Sequence, residues 1–148
     1  MYRNILIATD GSELAGKGLA HGLDLAAGAG AAVTIVTVTE AWSALEMADE
    51  ARQGHYDAIA RFEAVANARA QKILDAAAAA ASARGVKTVT VHVPDQKPAE
   101  AIIDTAKEKG CDLIVMASHG RRGVGRLLIG SQSMEVVSHS TIPTLIVR

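Results

Sequence analysis

Two short segments of this chain are apolar at nearly every position: Ile5-Leu6-Ile7-Ala8, within residues 4–9, and Leu113-Ile114-Val115-Met116-Ala117. A strand with one wet face alternates polar and apolar residues. A run that does not alternate belongs to a strand covered on both faces, as in a parallel sheet flanked by helices. The 148 residues suit one α/β domain with a single core, so residues 1–148 are read as one domain. Much of the 49% apolar content is alanine, and aromatics are 3%, so the core volume must come mainly from Ile, Leu and Val.

The remaining elements follow from periodicity and punctuation. A helix is expected over about 12–27, closed by Gly28 and Gly30, then a strand over 33–38. Ile59, Phe62, Ala66, Ala70, Ile73, Ala77 and Ala80 predict a long helix over about 56–84, with Gly85 as its stop. Its alanine run, 76–81, favours helix and close packing on a sheet. Val89, Val91 and Val93 alternate with Thr88, Thr90 and His92, which predicts an edge strand with His92 pointing outward. Ala99, Ile102, Ile103 and Ala106 mark another helix, with Pro98 near its start and Lys107, Lys109 and Gly110 at its end. A short helix over 131–140 and a strand over 144–147 complete the chain. The segment 41–55, with Trp42, Leu45 and Met47, either packs onto the fold or forms a lid.

Alternating strands and helices predict a doubly wound five-stranded parallel sheet of order 3-2-1-4-5. Its first and fourth strands are the central neighbours, and their carboxyl ends flank the switch point where such sheets bind ligands. Thr9-Asp10-Gly11-Ser12 and Ser118-His119-Gly120 fall on those two ends.

Charge and cysteine usage narrow the partners. A net charge of −1 provides no overall basic field, which argues against a general nucleic-acid binder. Cys111 is the only cysteine, so an internal disulfide and a cysteine-based metal cluster are both excluded. It reads as a small residue just before a buried strand. No signal-peptide pattern opens the chain, and no apolar run nears the roughly 20 residues of a membrane span, so a cytoplasmic location is expected.

Chemistry concentrates after the fourth strand, in Ser118-His119-Gly120-Arg121-Arg122-Gly123-Val124-Gly125-Arg126-Leu127-Leu128-Ile129-Gly130-Ser131. Glycines at 120, 123, 125 and 130 permit close backbone approach to a ligand. Gly130-Ser131 opens a helix whose N–H groups and dipole suit an anion. Ser131 caps that helix or turns its hydroxyl to a phosphate. Each charge-assisted bond to phosphate there contributes about 1.5–3 kcal/mol. Arg121, Arg122 and Arg126 either clamp phosphates or remain solvated charges. Asp10 offers an acceptor at the crevice and, equally, a cap for the first helix.

These residues resemble the universal stress protein family, in its ATP-binding branch. The resemblance rests on Asn4-Ile-Leu-Ile-Ala-Thr-Asp-Gly-Ser12, on Pro98-Ala-Glu-Ala-Ile102, and on Asp112-Leu-Ile-Val-Met-Ala-Ser-His-Gly120. Leu127-Leu-Ile-Gly-Ser131 and Ile142-Pro-Thr-Leu-Ile-Val-Arg148 extend it to the end of the chain. It implies a Rossmann-like, adenine nucleotide alpha hydrolase-like fold. The family's ATP motif is a glycine, two residues, a glycine, nine residues, then Gly-Ser or Gly-Thr. Gly120, residues 121–129 and Gly130-Ser131 match it, whereas Ala117 stands where the first glycine would be. A methyl is small, and that position would offer backbone to the ribose. The resemblance further implies that Asp10, beside Thr9, meets the ribose and that the backbone of Val38 meets the adenine edge. Gly120, Gly130, Ser131 and the amide of Gln132 would hold phosphates, with Ser118, His119 and Arg121 lining the loop. The implied cofactor is ATP, or ADP or AMP, with Mg²⁺ as a companion of the triphosphate.

Other readings fare less well. Gly11-Ser-Glu-Leu-Ala-Gly16-Lys17-Gly18 nearly spells a Walker A loop, yet Gly18 replaces the Mg²⁺-binding hydroxyl, and Leu14, Leu19 and Leu23 suggest a packed helix. No G-x-S-x-G elbow supports a hydrolase, and His21, His55, His92, His119 and His139 show no spacing that selects a base or a metal site. The strand 113–117 ends without the lysine that a receiver domain would need. Thr144–Val147 is apolar on both faces at a sheet edge, which predicts a homodimer through that strand, as the resemblance also implies. The leading expectation is a nucleotide-dependent regulatory module of the stress response. The alternatives are a slow ATPase or autophosphorylating enzyme, and a nucleotide-free protein acting through protein contacts.

Overall fold

The two continuous apolar runs lie side by side at the centre of one sheet. The computed structural model describes residues 1–119 and 129–148. Its elements in chain order are β1 (Asn4–Ala8), α1 (Glu13–Ala29), β2 (Ala32–Thr39), α2 (Ala44–Arg52) and α3 (Ala58–Ser82), followed by β3 (Thr88–Pro94), α4 (Pro98–Glu108), β4 (Leu113–Ala117), α5 (Ser131–His139) and β5 (Thr144–Val147). The strands form a five-stranded sheet of order β3-β2-β1-β4-β5, the expected order. All its pairings are parallel: Ile5 stands opposite Val33 on one side and Leu113 on the other, and Val115 stands opposite Leu145.

Burial on both faces follows from two separate helix layers. Ile5, Ile7, Val33, Ile35, Leu113 and Val115 meet Leu23 and Ala26 of α1 and Leu74, Ala77 and Ala81 of α3. Leu6, Val36, Ile114 and Met116 meet Ala99, Ile102, Ile103 and Ala106 of α4 and Val136 of α5. Alanine therefore supplies the contact surface of α3, and branched residues fill the sheet. Gly22 lets α1 lie close: a Cβ there would come within 2.7 Å of Ile7 Cδ1 and 3.3 Å of Val115 Cγ1.

The amino ends of β1 and β4 are tied together by Asp112. Its carboxylate accepts from the amides of Arg3, at 2.9 and 3.1 Å, and of Asn4, at 3.1 Å. Burial pushes this carboxyl up. The Arg3 and Asn4 amides and the Arg3 charge outweigh that and hold it below the ordinary range. Next to it, burial pushes the Cys111 thiol up, Asp112 adds to this, and a bond with Thr34 opposes it.

Three local readings change. The segment 41–55 contains a helix, α2, opened by a capping box in which Ser43 Oγ accepts from Glu46 N at 3.2 Å and Glu46 Oε2 accepts from Ser43 N at 3.1 Å. No residue of α2 is buried; the segment is fastened by Trp42, whose ring stacks on Phe62 of α3 at 4.8 Å. The first helix runs past Gly28 and ends at Gly30, which takes the left-handed conformation (φ 65°). His92 does not point freely outward: it is half-buried, and its Nε2 lies 2.9 Å from Thr39 Oγ1. The edge strand's other face is covered too, because Val91 and Val93 pack on the α4 side, while Val89, beyond their reach, is 55% exposed.

Candidate functional site

A parallel sheet delivers all its strand ends to one rim, and the helices that follow begin there. β1 ends at Ala8 and β4, its neighbour, at Ala117. The residues after them are Thr9-Asp10-Gly11-Ser12 and Ser118-His119.

The first turn is held from within. Thr9, buried, donates its amide to Val36 O at 3.0 Å, and its hydroxyl accepts from Gly11 N at 3.3 Å. Asp10 Oδ1 accepts from Ser12 N at 2.9 Å, and Ser12 Oγ accepts from Ala15 N at 3.2 Å. Ser12 therefore caps α1, and Asp10 shapes the turn before it. Gly11 has a φ of 77°, and a Cβ on it would run into Ile73 at 2.8 Å. Residues 13–18 are helical, so the Walker-like string does not form a loop.

The second turn is more tightly built. Ala117 and Ser118 are buried, and Ser118 N donates to Val147 O at 2.8 Å. Gly130 N returns to Ser118 O at 2.7 Å. Ser133 Oγ reaches both Ala117 O, at 2.9 Å, and Ser118 O, at 3.1 Å. Ser118 Oγ lies 3.1 Å from His119 Nδ1. The rim thus carries a clamp in which the first turn of α5 is pinned to the last residues of β4.

Gly130, not Ser131, occupies the cap position of α5, and its cap has no side-chain bond among the described residues. Ser131 is the first helical residue and is exposed. This removes the capping role considered for Ser131 and leaves its hydroxyl facing solvent. A Cβ at Gly130 would lie 3.0 Å from Ser118 O and 3.5 Å from His119 Cα, so any side chain here would press on the end of β4 and glycine relieves that crowding. Gln132 uses its side chain elsewhere: Oε1 accepts from Ala99 N at 3.1 Å, at the start of α4. Val38, half-buried near the end of β2, packs with Val93 toward the α4 layer.

The structure brings Thr9, Asp10, Ala117, Ser118, His119, Gly130, Ser131 and Gln132 to the same rim. Gly120 and Arg121, like Arg122 and Arg126, lie outside the described residues. Among the described residues, no group of three or more His, Cys, Asp or Glu could hold a metal ion. A cavity of about 200 Å³ opens on the same rim between Thr39, Phe62 and Asp95, at the ends of β2 and β3. Sequence reasoning missed Ser133 and the side chain of Gln132. Neither carries a motif signal, since their roles arise where α5 meets β4 and α4.

A protein-family model described as "Universal stress protein family" matches residues 1–148. The chain is 33% identical over 155 residues to universal stress protein YxiE of Bacillus subtilis (strain 168), with both chains covered in full. The fold resembles that of a universal stress protein from Archaeoglobus fulgidus solved in complex with dAMP, at a TM-score of 0.70 and 19% identity, over 99% of this chain and 98% of that one. It also resembles a universal stress protein solved in complex with cAMP, at a TM-score of 0.68 and 24% identity, over 99% of this chain and 96% of that one. No described helix is long and apolar enough to cross a membrane.

Proposed function

This chain belongs to the universal stress protein family, and from that premise we propose that it binds an adenine nucleotide in the crevice between the β1 and β4 ends. ATP is the nucleotide proposed, with ADP and AMP as its lower-energy forms. The protein acts in the cytoplasm as a nucleotide-dependent module of the stress response. The observation that carries this reading is the 2.7 Å bond from Gly130 N to Ser118 O. It sets the first turn of α5 directly over the end of β4, so first-turn amides face the place where phosphate would lie. The dAMP and cAMP complexes of structural neighbours support an adenine nucleotide for this fold.

In this arrangement Asp10 meets the ribose, the Val38 backbone the adenine edge, and Gly130, Ser131 and the Gln132 amide the phosphates. Ala117 takes the ribose end, where a methyl adds little bulk; its own carbonyl is held by Ser133 Oγ at 2.9 Å. Mg²⁺ that enters with ATP rests on phosphate oxygens. We also propose a homodimer through β5, one of the two edge strands among the described residues, beside which α5 exposes Met134 and Val137. Mass analysis of freshly purified protein should find bound adenine nucleotide, and calorimetry should show saturable ATP binding. No nucleotide and no heat of binding would overturn the reading. Sedimentation at tens of micromolar should give a dimer; a monomer would remove that part.

A further inference from the structure

α4 begins without a cap of its own. Lys97 holds the cap position and makes no side-chain cap bond, and Pro98 at the first helical position has no amide to satisfy. The first intrahelical bond runs from Ala101 N to Lys97 O at 3.0 Å. Helix geometry therefore leaves the Ala99 amide without an intrahelical partner. Ala99 is 0% exposed, where a donor left unmade is costly. Its acceptor comes from another helix: Gln132 Oε1, in the first turn of α5, at 3.1 Å. Because the partner is an N–H, the glutamine must present its oxygen and turn its amide nitrogen away.

We propose that Gln132 caps α4 from α5 and so couples nucleotide occupancy to the start of α4, an inference that rests on the nucleotide reading above. The same residue would offer its backbone amide to phosphate and its side chain to Ala99. Opening the Ala99 amide requires breaking the Gln132 bond, by rotating that side chain or by lifting the first turn of α5. A ligand held by that turn suppresses the second route, since it binds the closed state and not the open one. Occupancy of the crevice is thereby transmitted to the β3–α4 connection, where Asp95 and Lys97 are exposed.

Amide hydrogen exchange with ATP as the probe tests this, with calorimetry on the same samples. In the wild-type protein, saturating ATP should slow exchange of the Ala99 amide by about twofold or more, as the route through lifting of α5 is suppressed. Gln132→Met, similar in length but without the acceptor, should exchange faster at Ala99 before ATP is added and should lose the response at the ATP concentration that calorimetry shows to saturate that variant. Gln132→Glu restores an acceptor and should restore the response at saturating ATP, although its charge weakens ATP affinity. Unchanged Ala99 exchange in Gln132→Met without ATP would overturn the cap. ATP binding with no change at Ala99 in wild type, or with the same change in Gln132→Met, would overturn the coupling and leave the nucleotide reading standing. Absence of ATP binding in the wild type would overturn both.

Discussion

Gly130 N and Ser118 O stand 2.7 Å apart, and a Cβ on Gly130 would sit 3.0 Å from that same oxygen. The bond and the missing side chain are one requirement: the cap of α5 must touch the end of β4. Gly130 has φ −62° and ψ 158°, angles open to any residue, so it is the close approach to Ser118 and not backbone freedom that favours glycine here. Gly130→Val should lower ATP affinity by about tenfold or more, because the side chain pushes the first turn of α5 off the end of β4 and carries the Ser131 and Gln132 amides away from the phosphate, where each charge-assisted bond has about that weight. Its far-ultraviolet circular dichroism should stay native, because the strain is confined to the rim. Wild-type affinity in a folded valine variant would remove Gly130 from the phosphate site.

Glycines within α1 separate packing from helix propensity. Gly22 is buried against Ile7, itself 0% exposed, and an added methyl would meet Ile7 Cδ1 at 2.7 Å and Cγ1 at 3.0 Å. The methyl improves helix propensity by about 1 kcal/mol, but overpacking a dense core costs about 1–3 kcal/mol. Gly22→Ala should therefore be destabilised by roughly 1 kcal/mol in urea melts. Gly16 is exposed, and nothing lies within 4 Å of its would-be Cβ, so Gly16→Ala should be stabilised by about 0.5–1 kcal/mol. The two substitutions moving in the same direction would contradict this packing.

The pattern of strands was legible because burial on both faces leaves a visible mark: Ile5-Leu6-Ile7 and Leu113–Ala117 cannot alternate if both helix layers are to be filled. The approach of α5 to the end of β4 was legible where crowding favours a residue type, as at Gly130. The site was not legible where a side chain serves a distant element. Gln132 caps a helix 33 residues earlier, and Ser133 braces Ala117 and Ser118, relations created by tertiary contact. α2 had a signal that was passed over, the Ser43–Glu46 capping box, because its helical stripe meets no buried surface. His92 was misread because alternation marks two faces and does not say how each residue on them is partnered: Thr39 on the neighbouring strand half-buries His92, while Thr90 on the same face stays exposed.

Asp112 predicts the acid limb of stability. Its carboxyl titrates lower in the folded chain than the ordinary aspartate value of about 3.9 expected when unfolded, because the amides of Arg3 and Asn4 favour the anion. A depressed folded value means that the stabilisation is fully present above the unfolded value and is lost as pH falls through the folded one. Asp112→Asn keeps an acceptor oxygen but loses the charge. It should be less stable than wild type at pH 7, by about 1 kcal/mol for hydrogen bonds to a partly exposed charge. The gap should close as pH drops below about 4. Urea melts of both proteins at pH 7 and pH 3 measure it, and a gap that does not narrow at all between them would deny the charge its part.

Cys111 sits one residue away with the opposite response. It is 6% exposed, and burial with the nearby Asp112 carboxylate pushes the thiol up, against the Thr34 bond. Only the thiolate attacks alkylating reagents, so both access and ionisation work against reaction in the folded state. Labelling must then wait for an opening of the junction that Asp112 ties between β1 and β4. At pH 8 a maleimide should modify the native protein at least about a hundredfold more slowly than the urea-unfolded chain. Asp112→Asn makes the link specific: removing the carboxylate lowers the thiol's ionisation cost, yet loosens the junction that hides it, so both changes raise the labelling rate. A rate unchanged in Asp112→Asn, with wild-type protection intact, would show that the junction does not govern access to Cys111.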